Sequence, residues 1–500
     1  MMSTMIDSVP NPATTARDVG GRIAVSLLRA PGPRVGQALP LHDAGAARLG
    51  AVECDRASMI MKHRITDRRL VMWQILIVSL LMTGYAGFYI CRSNFSVTLP
   101  LIIRDLAAHG MPAEQARIRI GQIASLGVLA YALGKFFLGG LADLWGGKRQ
   151  FLAAMGGAVL FTLMAATGGL QVFAAAWIAN RLVQSAGWAG MVKITSRWFS
   201  YAAYGTAMGA ISLSYLFGDA FGRQFMGVLI DHGLGWRSVF MVAAGSLFLL
   251  FLANLLLLKE SSADIGAPET AASPDNLFAG GGEKQPKGRL AAHLGPLFRS
   301  PAFWIVCVLS LGTTFVRETF NTWTPTYFYE FVGMTPARAA QFSALFPLFG
   351  GASVLLVGYL SDRLGRRGRT IITFAGLLIA AVALFSLASV RAGASHGLPV
   401  ALVALIGFAI IGPYSYLAGA MALDFGGKQA AATSSGIIDG VGYLGGVLSG
   451  DAVARISLGA GWGGAFVVLG VVTALSTLAA AFFWVLQRRP VTSAVDAAVT

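Results

Sequence analysis

The chain is 500 residues long, 55% hydrophobic and only 12% charged, about half the charged share of an ordinary soluble domain, and its mean hydropathy is +0.66. A formal net charge of +15 invites a nucleic-acid reading, but the basic residues sit at the ends of apolar runs rather than in one patch, which excludes it. Cys54, Cys91 and Cys307 are too few and too scattered for a disulfide framework or a metal site. No nucleophile–base arrangement, Gly-rich phosphate loop or His/Cys cluster points to an enzyme or a cofactor.

Residues 1–60 are rich in Ala, Gly, Arg and Pro without a long apolar run. They read as a disordered cytoplasmic tail, or as the product of a start codon assigned too early, since Met59 and Met61 precede the first apolar run. Runs of about 20 nearly uncharged residues, the length that crosses a bilayer as a helix, then recur near 72–103, 120–142, 150–170, 172–196, 203–230, 238–258, 302–329, 339–360, 370–390, 397–423, 429–454 and 463–486. The expectation is an all-α polytopic membrane protein of twelve transmembrane helices. The polar stretch 259–301, rich in Gly, Pro, Ser and charge, reads as a flexible cytoplasmic linker. It separates an N-terminal six-helix bundle (61–258) from a C-terminal one (302–487), and a tail (488–500) follows.

With the N-terminus in the cytoplasm, the even-numbered loops and the tails beyond residue 60 carry nineteen Lys/Arg, against seven in the odd-numbered loops. This positive-inside bias places both termini in the cytoplasm. The two halves repeat. "GGLADLWGGKR" after the second run corresponds to "VGYLSDRLGRRGR" after the eighth. The second matches the G-x-x-x-D-R-x-G-R-R loop of the major facilitator superfamily through Gly358, Asp362, Arg363, Gly365, Arg366 and Arg367. The first keeps Gly139, Asp143, Gly146, Lys148 and Arg149 but has Leu144 where an arginine is usual. An acid at a helix end can pair with loop arginines or a neighbouring helix terminus, so Asp143, Lys148, Arg149, Asp362, Arg363, Arg366 and Arg367 are candidate gating residues.

Between Val71 and Ile103 the only charged residue is Arg92. Phe95 and Pro100 follow it at the same offsets as Phe320 and Pro325 follow Arg317, and each arginine lies in the first span of its half. Arg92 has two readings: snorkelling to the outer headgroups, or burial, favoured by the apolar "FSVTLPLII" beyond it. Arg317 follows 17 uncharged residues, which argues for depth. Ionisable groups at depth face a partner or a water-filled path. Parallel repeats about an axis normal to the membrane bring these two spans to facing positions. Two forked guanidiniums suit a doubly charged tetrahedral oxyanion such as a phosphoryl group. Lys135 sits about two turns before Asp143 and could join them or snorkel.

"GYAGFYICRSNFSVTLP", "AYALGKFFLGGLAD", "QSAGWAG", "VRETFNTWTPTYFYE" and "GPYSYLAGAMALDFGGKQAAATSSGIIDGVGYLGG" together resemble the organophosphate:phosphate antiporters of the major facilitator superfamily, a group that includes bacterial glycerol-3-phosphate and hexose-phosphate transporters. The resemblance runs from about residue 70 to 487. It implies that Arg92 and Arg317 bind phosphate, that Lys135 is the second-helix lysine, and that Tyr85 and Tyr89 line the site. It also makes Trp188 and Tyr443 contact candidates. The implied protein is a monomeric inner-membrane carrier exchanging an organophosphate or phosphonate for inorganic phosphate.

The chain departs from that pattern. Tyr215 stands where glycerol-phosphate members have a histidine, and Thr322 where an acid precedes the tryptophan. Glu318, Asp219 and Asp439 are extra membrane acids. They read either as neutralising partners of nearby cations (Arg223 is one turn from Asp219), as contacts to a substrate ammonium, or as proton-coupling groups. The alternatives to phosphate exchange are a proton symporter of an organic anion and a transporter-like receptor for a phosphorylated metabolite.

Overall fold

The structure, a computed structural model, describes residues 44–138, 141–199, 201–268, 297–391 and 395–488. The chain divides into two units, Met1–Thr66 and Asp67–Thr500. In the first unit residues 44–66 are helical, although the sequence suggested an unstructured tail as far as residue 60. Good helix formers (Ala, Arg, Met, Lys) without proline account for the difference. Residues 1–43, most of the expected linker (269–296) and the last twelve residues lie outside the described part.

The second unit is helical throughout its regular structure: α1 (Arg68–Ala108), α2 (Ala113–Leu138), α3 (Leu141–Trp145), α4 (Gly147–Thr167), α5 (Leu170–Gln184), α6 (Gly187–Trp198), α7 (Tyr201–Asp231), α8 (Trp236–Leu257), α9 (Pro301–Glu330), α10 (Pro336–Ser343), α11 (Leu345–Ala388), α12 (Gly397–Tyr416), α13 (Ala422–Gly459) and α14 (Gly461–Arg488). Among the described residues, ten helices are long and apolar enough to cross a membrane. The other two expected spans are helical as well. Run 203–230 lies in α7, and run 172–196 is split into α5 and α6.

The split falls at Ser185. Its hydroxyl donates to the Leu182 carbonyl (2.6 Å) and its N–H to the same oxygen (3.3 Å), a local back-bond that tightens and bends a helix. The loop expected at 361–367 also has helical backbone, continuous through α11, so its N–H and C=O groups are satisfied within the turn.

The start of the linker is not free. Residues 259–268 fold onto the N-terminal half, with a short 3₁₀ turn at Ser262–Ile265. Glu260 accepts from the N–H groups of Gly147 (2.9 Å) and Lys148 (2.6 Å) at the start of α4, and from Arg197 (3.1 Å). A carboxylate on a helix N-terminus answers its exposed donors and dipole. Glu260 thus supplies an acid at the start of α4, a helix-end role the sequence did not assign to it.

The side chains of Asp143, Asp362, Arg366 and Arg367 lie outside the described residues. Arg149 and Arg363 are exposed, Arg363 resting 4.4 Å from the Tyr359 ring.

The two halves meet on the side of the membrane remote from the linker. There Arg117 on α2 pairs with Glu330 on α9, and the Ser125 hydroxyl donates to the Val447 carbonyl (2.6 Å) and accepts from the Asp451 N–H (3.0 Å). Arg223 on α7 is 2% exposed. It donates to Asp219 (3.2 Å), to the Ser343 hydroxyl (3.1 Å) and to the Asn321 carbonyl (2.8 Å), so one guanidinium bridges three helices. Between α2 and α13 the backbones nearly touch: a Cβ on Gly450 would lie 2.3 Å from the Gly121 carbonyl oxygen. In a bilayer such small-residue contacts replace the hydrophobic drive that associates helices in water.

Two outcomes follow for stability. Asp219→Asn leaves Arg223 buried without its counter-charge and should destabilise the protein by about 3–5 kcal/mol, read by denaturation in detergent. The double variant Asp219→Asn/Arg223→Gln should be less destabilised than the two single losses added together, and strict additivity would contradict the pairing. Gly450→Val should cost about 1–3 kcal/mol by overpacking. It should also raise the reactivity of a cysteine placed at Ser125 toward a water-soluble thiol reagent, because the far face is forced apart.

Candidate functional site

A cavity of about 90 Å³ lies between the halves, below the far-face contacts. Its walls include Tyr89 and Arg92 from α1, Arg181 from α5, Tyr215, Asp219 and Arg223 from α7, Arg317 and Glu318 from α9, and Tyr443 from α13. The two repeat-related arginines thus border one space. Snorkelling of Arg92 to headgroups is not what the structure shows. Each arginine is aimed inward because the phenylalanine three residues on is locked into its own half. Phe95 stacks on Trp177 (4.3 Å), and Phe320 stacks on Phe346 (5.3 Å).

Tyrosines hold the cations in place. Arg92 donates to the Tyr89 hydroxyl (3.1 Å), and its guanidinium lies 4.6 Å from the Tyr131 ring. Arg317 sits 4.2 Å from the Tyr414 ring. Lys135 lies 4.9 Å from the Tyr443 ring. Such cation–π contacts fix a charged head without neutralising it.

The acids behave as counter-charges. Glu318 accepts from Arg317 (2.8 Å), Asp219 pairs with Arg223 (3.2 Å), and Asp439 pairs with Lys135 (2.8 Å) while Tyr414 donates to its other oxygen (3.4 Å). None of the three is left without a cation, and this geometry favours the neutralising reading over an ammonium contact.

Several expected contact residues stand one layer back. Tyr85 is buried and packs on Tyr89 (5.7 Å) and Trp188 (5.5 Å), so Tyr85 and Trp188 buttress the wall rather than form it. Lys135 and Asp439 lie outside the cavity lining, behind Tyr443. Tyr215 and Tyr443 do line it.

Sequence reasoning passed over Arg181, Trp177, Tyr131 and Tyr414. Arg181 was concealed inside the run 172–196, which reads as a span although it also carries Lys193. Tyr131 had a readable signal, being four residues before Lys135 and therefore on the same helical face. Among the described residues no group of His, Cys, Asp and Glu is arranged to hold a metal.

Residues 81–450 match the Major Facilitator Superfamily profile. The chain is similar to a probable hexose phosphate transport protein of Chlamydia muridarum (strain MoPn / Nigg), at 25% identity over 82% of this chain and 91% of the relative. It is equally similar to the glycerol-3-phosphate transporter of Bacillus subtilis (strain 168), at 25% over 77% and 86%. The membrane sensor protein UhpC of Escherichia coli (strain K12) matches at 25% over 85% and 95%. Among solved structures, a D-xylose–proton symporter superposes with a TM-score of 0.64 at 13% identity, covering 82% of this chain and 96% of that one, a likeness of fold. With the profile spanning most of the chain, two halves closed over one central cavity and a helical build throughout, this multi-pass membrane protein belongs to the Major Facilitator Superfamily.

Proposed function

We propose that the protein is a secondary transporter that moves a small organophosphate or phosphonate across a bacterial cytoplasmic membrane by alternating access, in exchange for inorganic phosphate. The observation that carries this reading is the convergence of Arg92 and Arg317, equivalent positions of the two halves, on one cavity. The names of the hexose-phosphate and glycerol-3-phosphate relatives support it. Both termini are assigned to the cytoplasm, so the far face is the outer one and the structure is closed toward the outside. The N-terminal (61–258) and C-terminal (302–487) bundles then rock about the cavity.

A phosphoryl group bridging Arg92 and Arg317 draws the two walls together. An empty site holds like charges in a low dielectric and resists reorientation. Coupled exchange, rather than leak, follows from that difference.

A receptor is the second reading, because the sensor protein UhpC matches as well as the transporters do. Counterflow of labelled phosphate into phosphate-loaded proteoliposomes separates the two. Exchange inhibited by an organophosphate supports transport, whereas tight binding without flux supports the receptor. Uptake driven only by an imposed pH gradient would instead indicate proton symport.

In that assay Arg92→Lys and Arg317→Lys should each lower exchange by about 10- to 100-fold. Each keeps the charge but loses the forked pair of donors, an interaction to a charged group worth about 1.5–3 kcal/mol. Near-normal exchange by both variants would overturn the site assignment.

A further inference from the structure

The cavity holds four guanidiniums and two carboxylates, and they are not evenly matched. Asp219 is taken by Arg223 and Glu318 by Arg317. The two cations left without an acid among the described residues are Arg92 and Arg181, both on the N-terminal wall. Arg181 is 3% exposed, borders the cavity and has a buried Nη1 with no hydrogen-bond partner. Its guanidinium lies 4.7 Å from the Tyr131 ring, against which Arg92 also rests.

The site is built for this arginine. A Cβ on Gly127 of α2 would come within 2.7 Å of the Trp177 ring nitrogen and 3.2 Å of the Arg181 Cγ, so the glycine is what admits both side chains. A buried guanidinium with an unused donor is costly unless an anion completes it.

We propose that Arg181 is a third anion-binding arginine, which with Arg92 forms a two-guanidinium clamp across Tyr131 that selects the doubly ionised form of the substrate's phosphoryl group. This rests on the transport reading above and sharpens it: the substrate enters as a dianion, and Arg317, already balanced by Glu318, completes rather than supplies the charge match. The groups facing the clamp are Tyr89, Tyr131 and Tyr443, with Lys135 also against the Tyr131 ring and with Asp219, Arg223, Arg317 and Glu318 around the rest of the cavity. Both cavity carboxylates are engaged in ion pairs with arginines, and the phosphoryl ligand brings its own second ionisation near about 6.

The test is direct binding of labelled glycerol 3-phosphate to the purified full chain in detergent. Between about pH 5 and pH 7.5 the wild-type affinity should rise about ten-fold, following the dianion fraction set by a second pKa near about 6. Arg181→Gln should flatten that rise to less than about two-fold, and Arg181→Lys, which keeps the charge, should retain it.

A comparison on the wild type alone is independent of any folding defect. Sulfate, a dianion throughout this range, should displace the label, and dimethyl phosphate, a permanent monoanion, should not. An unchanged pH rise in Arg181→Gln, or equal displacement by the two competitors, overturns the clamp while leaving organophosphate binding in place. A wild type that binds no phosphorylated compound at any pH overturns the underlying functional reading as well.

Discussion

The arrangement depends on how much charge is left unbalanced at the centre of a low-dielectric structure. Withdrawing one ion from water costs several kcal/mol even after relaxation, while a cation–π contact returns about 0.5–2 kcal/mol. Arg92 and Arg181, held mainly by tyrosine rings, are therefore incompletely stabilised in the empty protein. Arg223, with a carboxylate, a hydroxyl and a carbonyl around it, is fully satisfied. On the proposed reading the first kind of arginine is completed by an anion, whereas the second kind fastens helices. Residue type does not separate them; the partner list does.

That distinction explains which parts of the molecule were legible in the sequence. The spans were, because membrane helices must be apolar for about 20 residues; so was the equivalence of Arg92 and Arg317, because the spacing to Phe95 and Phe320 repeats. The break between α5 and α6 was not, since it arises from a single serine back-bond inside an apolar run. Glu260 was not either: its role depends on a turn that returns the start of the linker to α4. Membrane acids announced themselves as polar exceptions, but only the three-dimensional partners show that Asp439 meets Lys135 across the two halves and Glu318 meets its own neighbour.

The buttressing layer follows a similar logic. Tyr85 and Tyr89 share a helical face with Arg92 at spacings of seven and three, which placed them beside the site. Rotation about the helix axis decides which of them reaches the cavity. Tyr89 does, hydrogen-bonding Arg92, and Tyr85 packs behind it on Trp188. A spacing rule gives the neighbourhood of a residue, and the packed second layer gives its role.

The distribution of bonds also relates the charge imbalance to movement. Lys135–Asp439 and the approach of Phe136 to Gly440 join the halves nearer the linker face, while the far-side contacts that join them run through Arg117, Ser125 and Arg223. Unbalanced positive charge sits just inside those contacts, so an anion entering the cavity acts where the halves already converge. On the proposed reading it offsets the unbalanced charge of Arg92 and Arg181 on the N-terminal wall without having to break the far-face bonds itself. The free energy for exchanging one set of closing contacts for another can then come from the ligand's differential fit to the two states, which is the limit on what any ligand can shift. On this view the tyrosine cage matters as much as the arginines, because it fixes the guanidiniums in position and leaves their charge available to whatever binds.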